Sequence, residues 1–97
     1  MAILGDADVQ DRLAQAPAWR LANGDGPPSI ERDFELADFA AALDFVNRVG
    51  AVAEDAGHHP DILLHGWNKV RLTLSTHSQS GLTEADFELA GRIDGLV

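Results

Sequence analysis

Residues 57–77 read GHHPDILLHGWNKVRLTLSTH, and this stretch decides the fold. Ile62 to Trp67 and Val70 to Thr76 are two runs rich in aliphatic and β-branched residues, the composition of strands, with only Asn68 and Lys69 between them. In the second run Val70, Leu72 and Leu74 share one side while Arg71, Thr73, Ser75 and His77 share the other, because successive strand side chains point to opposite faces. If Asn68-Lys69 is a two-residue hairpin loop, Trp67 faces Val70, Leu63 faces Leu74 and Pro60 faces His77. His65 then lies opposite Leu72, as a structural or surface histidine. The hairpin has one apolar face, and that face needs a cover.

The cover is predicted just upstream. Gly57 stands where a left-handed helix cap belongs and Pro60 forbids continuation, so a helix ends at the histidines. From Ala37 to about Ala56 the period is 3.6, with Phe39, Leu43, Val46, Gly50 and Ala53 on one stripe and Asp44, Arg48 and Asp55 opposite. Before it, Ser29 to Leu36 alternates Ile30, Phe34 and Leu36 with Glu31, Asp33 and Glu35, although Arg32 falls on the apolar side. Ala18 to Leu21 places Trp19 and Leu21 on one face, and Asn23-Gly24-Asp25-Gly26-Pro27-Pro28 turns the chain between the two strands. At the start, Asp6 is expected to cap a short helix carrying Val9, Leu13 and Ala16. Downstream, Ser78 to Gly81 forms a loop, and Thr83 with Asp86 is a capping-box variant opening a helix with Leu89, Ile93 and Leu96 inward. The order α-β-β-α-β-β-α predicts an α+β domain of two layers, a four-stranded antiparallel sheet with helices packed on one face.

Ninety-seven residues make one domain, spanning 1–97, that buries only about 60 to 65% of its unfolded surface, so self-association would help it. A composition 45% hydrophobic and 24% charged is that of an ordinary globule. The lack of cysteine excludes disulfides and thiolate zinc sites. Seven basic against sixteen acidic residues give a net charge of −9, a field that repels nucleic-acid phosphates and anionic lipid. The sequence shows neither an apolar run of membrane-span length nor a basic, apolar leader, so a cytoplasmic protein is expected.

The chemistry gathers at the histidines. The register above brings His58, His59 and His77 together at the open end of the hairpin, and Glu54, one helical turn before His58, joins them. Imidazoles titrate near neutral pH and a neighbouring carboxylate can set the tautomer, so the cluster suits general acid/base catalysis. Zinc is the rival reading, but adjacent His58 and His59 diverge and no His-Glu-x-x-His pattern occurs, so no metal is expected. Asp86 has a sufficient role in capping its helix. None of Ser75, Ser78 and Ser80 sits in a nucleophile-elbow context. Gly24-x-Gly26 precedes two prolines rather than a helix and is turn chemistry.

Glu54-x-x-x-His58-His59-Pro60, six residues to Trp67, nine more to His77 and eight more to Asp86 resembles the signature of the pterin-4a-carbinolamine dehydratases. The resemblance extends through Trp67-Asn68-Lys69-Val70, Leu74-Ser75-Thr76-His77 and Gly81-Leu82-Thr83, and upstream through Phe34, Phe39 and Phe45 to Val49. It implies a hydro-lyase that removes water from 4a-hydroxytetrahydropterin to give quinonoid dihydropterin, with no cofactor. It further implies His58 and His77 in proton transfer, His59 holding the pterin and Glu54 in support, with Gly57, His58, His59, Pro60, Ser75, Thr76, His77 and Ser78 as substrate-binding positions. Homodimers or homotetramers are implied too, as is an alternative role as a protein-binding module in dimerisation or assembly. Gly57 and Ala85 depart from side chains common in that family. The departures imply one contact fewer to the pterin and no salt-bridge partner for Asp86.

Overall fold

The computed structural model describes residues 2–22, 24 and 26–97. Helix α1 (Asp6–Ala14) and strand β1 (Arg20–Ala22) precede β2 (Ser29–Glu35), α2 (Phe39–Ala56), β3 (Asp61–His65), β4 (Lys69–Leu74), a 3₁₀ turn (His77–Gln79) and α3 (Glu84–Asp94). The sheet is antiparallel in the order β1-β2-β4-β3. Two sequential hairpins are thus joined along their inner strands, and the expected α+β order is observed. Of the expected turn between β1 and β2, Asn23 and Asp25 lie outside the described residues.

Helix boundaries follow their caps. Gly5, not Asp6, occupies the N-cap of α1; Asp6 and Asp8 fall in the first turn, where negative charge meets the positive end of the helix dipole. Helix α2 starts later than the periodicity suggests because Asp38 accepts the Ala41 N–H at 2.8 Å, a side-chain N-cap. It stops at Gly57, whose φ of 64° is the left-handed conformation that ends a helix.

Two further expectations need correction. The packed stripe of α2 is Ala42, Phe45, Val49 and Ala53, whereas Phe39 and Leu43 are 49% and 43% exposed. Both stripes fit a period of 3.6; the sheet selects the one in which the Phe45 ring meets Phe34 at 4.7 Å. The second correction is the register of the β3–β4 hairpin. Ile62 pairs with Leu72, Leu63 with Arg71 and His65 with Lys69, so the loop is Gly66-Trp67-Asn68 and the pairings of Trp67 with Val70, Leu63 with Leu74, Pro60 with His77 and His65 with Leu72 do not form. Asn68 is the cause: it is buried and tied to the end of β2, accepting the Leu36 N–H at 2.8 Å and donating its amide to the Leu36 carbonyl at 3.0 Å. Gly66 and Trp67 take the turn with φ of 54° and 60°, a costly conformation for an exposed tryptophan.

The core lies between the layers. Ile30, Phe34, Val70, Leu72 and Leu74 of the sheet pack with Ala42, Phe45 and Val49 of α2 and Leu89, Ala90 and Ile93 of α3. Each fully buried large aliphatic or aromatic side chain there contributes about 1.5–3 kcal/mol. Arg32, which breaks the alternation of β2, lays its guanidinium 4.4 Å from the Phe34 ring centroid and reaches Asp94 at 2.5 Å. Asp94 also accepts the indole N–H of buried Trp19 at 2.8 Å, tying β2 and α3 to the segment before β1. On the uncovered face, Asp33 of β2 binds both Arg20 of β1 and Arg71 of β4.

Candidate active site

The cap at Gly57 delivers His58 and His59 from the end of α2 to the sheet, and the chain leaving β4 passes alongside. Gly57, His58, His59, Ser75, Thr76, His77 and Ser78 line one shallow pocket of about 220 Å³. The structure therefore gathers the three expected histidines even though the register that suggested it is wrong. Shifting the hairpin by three residues sets His58 and His59, not Pro60, beside the end of β4. Pro60 does not line the pocket, and His65 lies outside it on β3. Strand β4 ends at Leu74, and His77 opens the 3₁₀ turn with its side chain exposed.

Each of the adjacent histidines has its own carboxylate. His59 Nε2 lies 2.8 Å from Glu54 Oε2 at the exposed rim, and His58 Nε2 lies 2.6 Å from Asp86 Oδ1. Asp86 is completely buried. Its Oδ2 accepts the Thr83 N–H at 2.9 Å and the Thr76 hydroxyl at 2.8 Å. Thr76 has one hydroxyl hydrogen and gives it to Asp86, so in the 2.8 Å contact between the threonines Thr83 is the donor. With its other acceptors filled, the carboxylate fixes the proton of His58 on Nε2 and leaves Nδ1 as the acceptor nitrogen. The structure thus contradicts the reading of Asp86 as a capping residue only. It does close the capping box with Thr83, but a cap uses one carboxylate oxygen and the second reaches His58. The sequence signal for this second role is an acid eight residues beyond His77, and helix capping accounts for that acid equally well.

The departures at Gly57 and Ala85 are clear in this geometry. A side chain at Gly57 would meet nothing within 4 Å, so its absence leaves the pocket wall open. Asp86 is satisfied by His58, Thr76 and Thr83 without any cation from position 85. Among the described residues no group of three or more His, Asp or Glu side chains is arranged to hold a metal ion. A larger hollow of about 520 Å³, between Ile3, Leu4, α1 and the loop through Leu82, carries no histidine.

Fold and site together define an α+β domain with a small histidine-lined pocket backed by a buried carboxylate. The family model for pterin 4 alpha carbinolamine dehydratase matches residues 2–96. The chain belongs to that family. A relative from Acidobacterium capsulatum, provisionally named a pterin-4-alpha-carbinolamine dehydratase, is 50% identical over 97 residues, all of both chains. Pterin-4-alpha-carbinolamine dehydratase 2, mitochondrial, of Arabidopsis thaliana is 42% identical over 94% of this chain and 49% of its own length. Among solved structures, a transcriptional coactivator/pterin dehydratase from Brucella melitensis superposes with a TM-score of 0.86 at 30% identity, over 98% of each chain. A pterin dehydratase-like protein identified as a RuBisCO assembly factor in the alpha-carboxysome gives 0.68 at 30% identity, over 81% of this chain and 88% of that one. Among the described residues no helix is long and apolar enough to cross a membrane.

Proposed function

We propose that this protein is a hydro-lyase that dehydrates 4a-hydroxytetrahydropterin to quinonoid dihydropterin by histidine acid/base catalysis. The observation that carries the reading is the His58–Asp86 pair opening onto a pocket shared with His77. Dehydration removes the proton from N5 and protonates the hydroxyl leaving C4a as water, so one group must accept a proton while another donates. His58, its Nε2 proton held by Asp86, accepts the N5 proton at Nδ1. His77, on the opposite chain segment, protonates the hydroxyl. His59, steadied by Glu54, holds the ring together with Gly57 and the segment Ser75 to Ser78. If each transferring group contributes about 10²- to 10⁴-fold, the pair supplies several kcal/mol of barrier lowering. Purified protein is expected to accelerate the loss of 4a-hydroxypterin absorbance, and His77→Ala to slow that reaction at least tenfold. Equal rates for the two proteins reject the assignment.

A second reading, a non-catalytic module for protein assembly, has one specific support: the structural likeness to the carboxysomal assembly factor. It needs neither the buried carboxylate nor the third histidine. A stoichiometric protein partner captured by this chain, together with no pterin turnover, favours it. Self-association, as a homodimer or homotetramer, belongs with either reading and is supported by the exposed Leu63 on edge strand β3 and by Phe39 and Leu43 on α2. Light scattering of the purified protein gives the number of subunits. A cytoplasmic location is part of the same proposal.

A further inference from the structure

We propose that the segment just before α1 is a strap that positions His77 for proton transfer, with Ile3 and Leu4 holding the loop that carries it. The inference rests on the dehydratase reading of the site and adds to it positioning residues from outside the pocket. The three pocket histidines are not held alike. His58 and His59 are each hydrogen-bonded to a carboxylate, whereas the His77 ring has no hydrogen-bond partner among the described residues. His77, Ser78, Gln79 and Ser80 are all exposed, so packing adds little to hold the ring. Its place is therefore set by its main chain, and whatever steadies that loop steadies the proton donor.

A bridge between Thr76 and Gly81 closes the loop at its base, with the Thr76 N–H donating to the Gly81 carbonyl at 2.8 Å. Inside it run the bonds of the 3₁₀ turn, from the Gln79 N–H to the Thr76 carbonyl at 3.0 Å and from the Ser80 N–H to the His77 carbonyl at 3.2 Å. The two ends of the bridge are anchored differently. Thr76 is buried and donates its hydroxyl to Asp86. At the other end Leu82 is buried in the core, but Gly81 has no side chain with which to pack, and beyond a long contact of 3.4 Å from the Ser75 hydroxyl its cover is the strap. The Leu4 N–H donates to the Leu82 carbonyl at 2.8 Å, and Ile3 lies so close over Gly81 that a Cβ there would come within 2.7 Å of Ile3 Cδ1. Positive φ occurs at Gly57 and Gly66 but not at Gly81, so the backbone does not call for glycine at that position; the close approach of Ile3 does. Ile3, Leu4, Ser80, Gly81 and Leu82 also border the hollow of about 520 Å³. A loop released from the strap has that space to relax into, and moving a reacting group by about 1 Å can cost about 10²-fold in rate. His58, His59 and Thr76 keep their own anchors, so holding of the pterin ring does not depend on the strap.

Two substitutions release the strap by different routes. Leu4→Pro removes the N–H that reaches Leu82, and Ile3→Ser removes the apolar cover of Gly81; Ile3 is half exposed, so the second variant keeps its fold. Turnover is measured by stopped flow at a temperature where thermal melts show every protein folded. Each variant is expected to lower kcat by at least about fivefold with KM within about twofold of the parent, and Ile3→Val to keep the parent rate. In a His77→Ala background the same two substitutions are expected to change kcat by less than about twofold, since the ring through which the strap acts is gone. Hydrogen exchange gives a readout independent of turnover: the Gln79 and Ser80 amides are expected to exchange at least about fivefold faster in Leu4→Pro. An unchanged kcat, or a fall of the same size with and without His77, overturns the inference and leaves the dehydratase reading intact. Unaltered exchange at Gln79 and Ser80 overturns it as well. If the parent itself turns over no 4a-hydroxypterin, the reading of the site falls and this inference with it.

Discussion

Replacing Asp86 by asparagine separates the two duties of that residue. The carboxylate accepts three hydrogen bonds, from His58, Thr76 and the Thr83 N–H, at zero exposure. An asparagine can keep its one oxygen toward Thr76 and Thr83, so the start of α3 survives, but its NH₂ then faces His58 Nε2. A donor facing a donor is intolerable in a buried site, and the imidazole must move its proton to Nδ1, the nitrogen that would accept from N5. Exchanging charge-assisted bonds of about 1.5–3 kcal/mol for neutral ones of about 0.5–1.5 costs roughly 2–4 kcal/mol in total. At about 4–8 °C per kcal/mol for a domain of this size, the melting temperature falls by roughly 10–30 °C. Most domains have about 5–15 kcal/mol to lose, so the variant remains folded at 25 °C. In hydrolases the equivalent exchange in a His–Asp pair costs about 10⁴ in rate through the wrong tautomer; a fall in kcat of about 10²- to 10⁴-fold is expected here. Stopped-flow turnover at 15–25 °C measures it, and nitrogen-15 shifts of His58 report the tautomer. A folded variant with inverted tautomer and kcat within threefold of the parent would refute the role of Asp86 in orienting the base.

Three other outcomes are expected. Phe45→Ala removes the ring packed 4.7 Å from Phe34 at zero exposure and lowers stability by about 3–5 kcal/mol, whereas Asp44→Ser, on the exposed face of the same helix, changes it by less than about 1; chemical denaturation distinguishes them. Asp33, hydrogen-bonded first by Arg71 and then by Arg20, and Glu84, hydrogen-bonded by Arg12, are both held below the usual carboxylate range. A lowered folded pKa contributes stability that is full above the ordinary values of 3.8 and 4.5 and lost as pH falls through the lower folded values, so thermal melts should weaken below about pH 4, and less steeply for Asp33→Asn. In Gly81→Ala the new Cβ would sit 2.7 Å from Ile3 Cδ1; because Ile3 is half exposed and can swing aside, the loss should stay below about 2 kcal/mol and shrink when Ile3→Ala is added, which a double-mutant cycle measures.

Much of this architecture is legible in the sequence because its punctuation is local. Gly57 and Pro60 end the central helix, Thr83 opens the last one, and alternation marks β2 and β4. What escaped is decided by contacts between distant segments. Periodicity alone allows either stripe of α2 to face inward, and only packing against Phe34 chooses Phe45 over Phe39. The register of the second hairpin depends on Asn68 bonding to Leu36, more than thirty residues earlier. At the site, the gathering of His58, His59 and His77 survived the wrong register because all three flank strand ends that meet wherever the turn falls. Asp86 was missed because a helix cap and an orienting carboxylate call for the same residue at the same place.

The sheet order carries a consequence for how quickly the chain can find its fold. Each hairpin closes over a short loop, but the seam between β2 and β4 joins Ile30 to Leu74, about forty residues apart. Forming that seam confines the whole of α2 within one large loop, an entropic cost incurred before any apolar contact across it is gained. The rate-limiting search is therefore for the middle of the sheet, not for its tips. Truncating Val70 or Ile30 should slow folding, while truncating Leu63 on the outer strand should chiefly hasten unfolding.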